Sequence, residues 1–346
     1  MPSLDFLTVD VFTQTRYLGN PLAIVKVPKD ATPPTQEQKL TIAREFNLSE
    51  TVFLHDAIDC DNEVPQWQVD IFTIDQELPF AGHPTIGTAV HVLSNIAASQ
   101  SDNQPVKGRF KVKAGIIELE YADGIAKAVI PHNQHVHRSE QKELQAVISA
   151  TWPALQPHLD RWEAATAMGN EAFGFLGPSL LDIDIVSPVR GMTFLLIQLH
   201  NLEALAAVQP YNGALPLKRD SGWDTGPCFA MFYVEERQAE DADGTTVLRT
   251  RMMAGSFEDP ATGSASCALA AYLAQKEDWS QIPFWIKKQR GLPNFRKFRM
   301  VQGVEMGRRS EIGVEVKLDG EGRDRRVEEV KLIGSAVRVM EGKVHY

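Results

Sequence analysis

Residues 77–87 read ELPFAGHPTIG, and residues 257–267 read FEDPATGSASC. Each places Pro and small residues where a helix begins. The runs that follow, TIGTAVHVLSNIA (85–97) and SASCALAAYLA (264–274), are small and apolar around most of their circumference, as buried helices are. At such a start, unpaired backbone N–H groups can converge on a ligand with little side chain in the way. Two starts facing one another would form an anion cradle, because each helix N-terminus carries about half a positive charge. Taken singly, each also reads as a plain cap: Asp259 before Pro260 suits an N-cap with Pro at N1, and His83 before Pro84 closes the other start.

Working outward, the chain repeats itself. Gly19 before Asn20-PLAIV stands 172 residues from Gly191 before MTFLLI, Phe53 stands 176 from Phe229, and His83 stands 179 from Thr262, all near half of the 346 residues. An old duplication accounts for such offsets and puts an active site between the halves. In the first half, FLTVDVF, LAIVKV, ETVFLHD and WQVDIFT read as strands, and KGRFKVKAGIIELEYADGIAKAVI (107–130) reads as a three-run meander with Lys-Ala-Gly and Ala-Asp-Gly turns. Thr35 and Gln38 have capping-box spacing ahead of a helix with Leu40, Ala43 and Phe46 on one face, ending near Asn47.

Residues 131–190 shift to His, Gln, Trp and Pro and read as a linker with helices, the first over 138–152. GMTFLLIQLH, CFAMFYVEE, TVLRTRMMA, IPFWIKK, FRMVQG, IGVEVKL and SAVRVMEGKV then supply a second set of strands. The expected fold class is α+β. Residues 1–130 form an N-terminal domain, completed by a last strand at about 334–346, and 191–333 form a C-terminal domain.

Composition sets the bounds. Hydrophobic residues make up 43% and charged residues 23%, the proportions of a folded globular protein. A net charge of −10 disfavours nucleic acid as the partner. Cys60, Cys228 and Cys267 are far apart with no C-x-x-C, so neither a disulfide framework nor a zinc knuckle is indicated. The N-terminal stretch has no basic residue before Arg16, the reverse of a signal peptide, and the longest stretch without charged residues, 78–101, is too polar to span a bilayer. A cytoplasmic location is expected.

The strings DVFTQTRYLGNPLAIV, NLSETVFL, IFTIDQELPFAGHPTIGTA, EDPATGSASCALAAYLA and QGVEMGRRS resemble, in order, the signature blocks of the PhzF family, the phenazine-biosynthesis-like proteins related to diaminopimelate epimerase. The resemblance implies a diaminopimelate epimerase-like fold: two pseudo-symmetric domains, each a curled, mostly antiparallel sheet around a central helix, with the active site in the cleft between. It implies isomerisation without a cofactor or metal, acting on a small carboxylate substrate, and it is compatible with a homodimer. On the family's pattern Glu50 is the acid/base catalyst, with His83 and Asp259 beside it. Ser264 and Thr262, with the backbone N–H groups of Gly82 and Gly263, would bind the substrate.

The chemistry of these residue types agrees. Moving a proton from one carbon to another needs a carboxyl that is first base and then acid, with a pKa raised to about 6 to 7, and a partly buried glutamate supplies one. His83 and Asp259 would then engage the substrate's amino or hydroxyl group, while Ser264 and the helix starts hold its carboxylate. The related epimerases place a cysteine at each helix start. Here those positions lack thiols and Cys267 falls roughly a turn inside its helix, which argues against two-thiol racemisation.

Three departures from the family pattern, Asp70 for arginine, Ile74 for proline and Arg309 for the proline of G-R-P-S, leave the catalytic set intact and bear on the substrate. His132, His135 and His137 resemble a metal cluster but lack a partner carboxylate at suitable spacing. The six basic residues of 286–300 read as a solvated strand edge. Two alternatives stay open at the level of sequence: an epimerase or racemase of an amino-acid derivative, and a catalytically idle member acting as a binding protein.

Overall fold

A turn at Gly19 (φ +70°) brings β1 (Ser3–Val11) and β2 (Asn20–Val27) together as an antiparallel pair. The computed structural model describes residues 2–58, 64–100, 104–167, 182–236, 244–276, 295–319 and 326–346. After β2 come α1 (Gln36–Phe46), β3 (Thr51–His55), β4 (Gln66–Phe72), β5 (Glu77–Leu78), α2 (Gly82–Ser99), β6 (Val106–Val112), β7 (Gly115–Ala122) and β8 (Ile125–Val129). β9 (His135–Val136), α3 (Gln141–Thr151) and α4 (Gln156–Ala167) lead to a second passage in the same order. It comprises β10 (Ile183–Val189), β11 (Met192–Gln198), α5 (Leu202–Ala207), β12 (Cys228–Glu235), β13 (Thr246–Ala254), β14 (Phe257–Asp259) and α6 (Gly263–Lys276). β15 (Phe295–Gln302), β16 (Ser310–Asp319), β17 (Arg326–Gly334) and β18 (Ala336–His345) complete it.

The pairings repeat as well as the order. β2 runs parallel to β3, and β11 to β12; β4 runs parallel to β6, and β13 to β15. The other pairings among the described strands are antiparallel. The halves join where β8 lies against β17, with Ala128 opposite Leu332. Past that seam each lends a strand to the other: β18 crosses to β1, and β9 crosses to β10. Each sheet curls around its own helix. α2 packs on β1, β2, β3, β6, β7 and β8, and α6 on β10, β11, β15, β16 and β17. Both helices are buried through their first turns, as their small-residue composition demands. This is the epimerase-like α+β fold.

Residues 131–190 hold more than a linker. Ile183–Val189 is a sheet strand, and Leu144, Ile148, Trp152, Leu155 and Leu159 form a core with its Ile183 and Ile185. Pro188 hides the strand in the sequence: it sits where the β10–β11 register shifts between Val186 and Val189, and Pro is tolerated at bulges. The strand expected at 282–288 lies outside the described residues.

α1 begins with the expected capping box. Thr35 Oγ1 accepts from Gln38 N at 3.2 Å, and Gln38 Oε1 accepts from Thr35 N at 2.8 Å. Its buried face differs from the expected one, because Lys39 lies inward with Ile42 and Ala43 while Leu40 and Phe46 are only partly covered. The reason is Asp70. Its neighbours Val69 and Ile71 face the core around α2, so Asp70 points to the other side of the sheet. There it meets Lys39 Nζ at 2.6 Å and His55 Nε2 at 2.8 Å.

Burial alone would raise the Asp70 pKa, but His55 and Lys39 together hold it down at about 2. Its folded pKa being depressed, the stabilisation is present above pH ~4 and lost as pH falls towards 2. Lys39→Met is expected to cost about 3 kcal/mol at neutral pH, since one partner of a buried pair is removed, and to lessen the acid sensitivity of unfolding between pH ~4 and ~2. Urea unfolding at a series of pH values checks both.

Candidate active site

The two helix starts meet. A Cβ built on Gly82 would lie 3.2 Å from Gly263 Cα, and one on Gly263 would lie 3.4 Å from Gly82 Cα, with Leu332 close beside both. Only residues without a side chain allow the two backbones so near. Ala81, the N-cap of α2, offers no capping side chain, and neither helix has an acidic residue in its first turn. Two positive helix ends therefore converge on one place with no acidic residue in the first turn of either. By this contact Gly82 is the counterpart of Gly263 and His83 that of Ser264. The glycine contact thus sets the register of the halves two residues away from the His83–Thr262 offset.

Residues from both halves gather here. Glu50 immediately precedes β3, and its Oε2 lies 3.4 Å from His83 Nδ1 at the start of α2. The two touch without a hydrogen bond, and Glu50 Oε2 and His83 Nε2 are both buried without a partner. Burial raises the Glu50 pKa to about 7, partly offset by the Ser49 hydroxyl. Burial also lowers that of His83 to about 4, against the opposing charge of Asp259. Near neutral pH the pair is therefore an uncharged imidazole beside a carboxyl poised to gain or lose a proton, not a salt bridge.

Asp259 comes from the other half, at the end of β14. Its pKa is raised to about 6, first by burial, with Thr262 lowering it and the charge of Glu50 adding to the rise. Asn20 reaches across from the start of β2 to donate to Asp259 Oδ1 at 2.9 Å and to the Ala261 carbonyl at 2.9 Å. Thr262 Oγ1 donates to Asp259 Oδ2 at 2.6 Å and accepts from Gln302 Nε2 at 3.1 Å, while Thr262 N donates to Gln302 Oε1 at 3.2 Å. Thr262, expected to bind the substrate, has its hydroxyl on Asp259 and its amide on Gln302. Ser264, half-buried in the first turn of α6, stays available.

Sequence reasoning missed Asn20, Gln302 and a second tie between the halves. Arg308 donates to Gly19 O at 2.9 Å, Leu18 O at 3.1 Å and Asp10 Oδ1 at 2.8 Å, which anchors the turn that presents Asn20. Their signal was present, since Asn20 and Gln302 both lie in the quoted blocks, but neither residue titrates.

The side chains of the three departures lie outside the cluster. Asp70 faces α1, Ile74 is exposed, and Arg309 pairs with Glu311 at the surface. Cys228 is pushed up to about 11 and Cys267 further still by burial, which leaves both thiols protonated. Cys60 lies outside the described residues.

Of the three suspected histidines, His135 and His137 do approach a carboxylate, Asp220, with ligand atoms within 4.8 Å of one another. The expectation that no carboxylate partner exists is therefore wrong. His137 is nonetheless fully engaged: its Nδ1 accepts from Asp220 N at 3.0 Å, so Nε2 carries the proton and faces Ser187 Oγ at 2.9 Å. A metal-bound histidine needs its second nitrogen to donate. His132 faces two carbonyls instead.

Two matched passages, meeting at paired helix starts around an acid/base cluster, define the epimerase-like class of fold. The chain belongs to the PhzC-PhzF family, described as phenazine biosynthesis-like proteins, whose model matches residues 9–342. It is 29% identical to the trans-2,3-dihydro-3-hydroxyanthranilate isomerase of Pseudomonas fluorescens, covering 98% of this chain and 99% of that one. A PhzF-family crystal structure from Bacillus anthracis superposes with a TM-score of 0.67 at 19% identity, covering 100% of both chains. A hydroxyproline epimerase from Agrobacterium vitis shares the fold at TM-score 0.52 and 14% identity, over 99% of this chain and 92% of that one. The protein is an isomerase of this family. Among the described residues no helix is long and apolar enough to cross a membrane.

Proposed function

We propose that this isomerase moves a proton between two carbons of a small carboxylate, with Glu50 as the acid/base group. The single observation that carries the reading is the Glu50–His83 contact: a buried carboxyl with its pKa lifted to about 7, unpartnered at Oε2, 3.4 Å from a neutral imidazole. A carboxyl near neutrality can take a proton and return it with little loss either way. The substrate carboxylate would lie against the N–H groups of Gly82 and Gly263 and the Ser264 hydroxyl, where two helix ends favour negative charge. Asp259 would receive an N–H or O–H of the substrate, with His83 turned to the same group. The substrate class is a dihydro aromatic acid with an adjacent amino or hydroxyl group, as in the name of the Pseudomonas relative.

Incubating the protein with trans-2,3-dihydro-3-hydroxyanthranilate in heavy water tests the proposal by proton NMR. A double-bond shift with solvent deuterium at the new C–H supports it. Loss of optical activity without a double-bond shift would favour an epimerase instead, and an unchanged spectrum would reject this substrate. The kcat/KM of the reaction is expected to rise with pH through an apparent midpoint near 7, because Glu50 must be ionised to act as base. A profile flat from about pH 5 to pH 9 would remove Glu50 from that role. His83, held near 4, adds no limb in this range.

A further inference from the structure

The orientations of the Asn20 and Gln302 amides beside Asp259 are forced by backbone groups that can play one part only. A carbonyl only accepts, so the Asn20 atom 2.9 Å from Ala261 O is the amide nitrogen, and its second hydrogen points to Asp259 Oδ1. A backbone N–H only donates, so the Gln302 atom 3.2 Å from Thr262 N is the amide oxygen. Gln302 Nε2 must then donate, to the Asp259 carbonyl at 2.7 Å and to Thr262 Oγ1 at 3.1 Å. With that hydrogen received, Thr262 has its own hydroxyl proton for Asp259 Oδ2, 2.6 Å away. Both carboxyl oxygens thereby have a hydrogen directed at them, and the Asn20 amide nitrogen on Oδ1 can only donate, never accept one from a carboxylic acid.

All four side chains are buried, Asn20 and Gln302 almost completely, so water does not stand in for a missing partner. We infer that Asn20 and Gln302 are positioning residues that hold Asp259 as a hydrogen-bond acceptor through both its oxygens, so that the substrate meets a carboxylate there. The inference rests on the placement of Asp259 in the substrate site. It restricts the substrate group opposite Asp259 to one that brings its own hydrogen: an ammonium, an amine or a hydroxyl. It also divides the labour between two neighbouring carboxyls. Burial pushes both up, but Glu50 Oε2 has no partner while both oxygens of Asp259 have one. The titratable groups facing Asp259 are Glu50 and His83.

The test is a titration of the whole protein labelled with 13C at the aspartate side-chain carboxyls, followed by NMR without substrate, with Asp259→Asn identifying the signal. Asn20→Leu and Gln302→Leu are each expected to raise its midpoint by about one pH unit or more. Thr262→Val is expected to raise it as well, whereas Thr262→Ser, which keeps the hydroxyl, restores the original midpoint. Where a leucine variant does not fold, Asn20→Ala and Gln302→Ala take its place. Midpoints unmoved in folded variants, or equal behaviour of Thr262→Val and Thr262→Ser, would overturn the inference. Because no substrate is present, these shifts can hold while the isomerase assay fails, or vanish while it succeeds, so the two ideas fall separately.

Discussion

Glu50→Gln is expected to slow the incorporation of solvent deuterium into a turned-over substrate by about a thousandfold or more, with the circular dichroism and thermal midpoint nearly unchanged. The amide is the same size and cannot take a proton. No neighbour is fitted to replace it. His83 has the reach, at 3.4 Å, but a base held near 4 has little driving force to remove a hydrogen from carbon. Asp259 is held by Asn20 and Thr262 on both oxygens. Removing a buried, unpartnered carboxyl should not harm the fold, because in the absence of substrate its burial is a cost. Undiminished exchange in the variant would move the proton transfer to another residue.

The second large effect is steric. Gly82→Ala places a methyl 3.2 Å from the backbone of the opposing helix and 2.9 Å from Leu332 Cδ2. Leu332 is completely buried in the core, and protein interiors are close-packed. The helix starts must separate by a few tenths of an ångström. Overpacking of this kind costs about 1–3 kcal/mol, and because catalytic geometry is lost steeply with displacement, activity is expected to fall about tenfold to a hundredfold. Gly263→Ala should behave alike. The double variant should be worse than the sum, since the two methyls also meet one another. Thermal denaturation and the heavy-water exchange rate measure both effects, and wild-type values for either single variant would contradict the close contact.

Legibility in the sequence followed chemistry and periodicity. The capping box at Thr35, the buried helices and the three-run meander each rest on local rules, and the structure contains all three. His83 and Asp259 stand out as titratable residues beside helix starts, whereas Glu50, ahead of a strand, is singled out only by the resemblance to the PhzF blocks. What stayed hidden depended on contacts distant in sequence. Lys39 looks like a surface lysine until Asp70 is seen beneath it. β17, with two adjacent glutamates, looks too charged for a strand until β8 and β16 flank it. Asn20 and Gln302 look like a turn residue and a strand end, and acquire meaning only from Asp259, which lies 239 positions from Asn20. The glycine pairing that relates the halves is likewise a fact of packing.

The exchange of edge strands has a consequence for how the protein is made. β1 is finished on one side by β2, but on the other only by β18, in a register that sets Ser3 against His345. At ordinary rates of synthesis the first strand leaves the ribosome on the order of tens of seconds before the last. Throughout that interval an apolar strand carrying Leu4, Leu7, Val9 and Val11 has an open edge, the kind of surface that recruits other chains. The first half therefore completes its sheet only once β18 has been made, and until then its exposed edge belongs to the nascent chain and not to the folded protein.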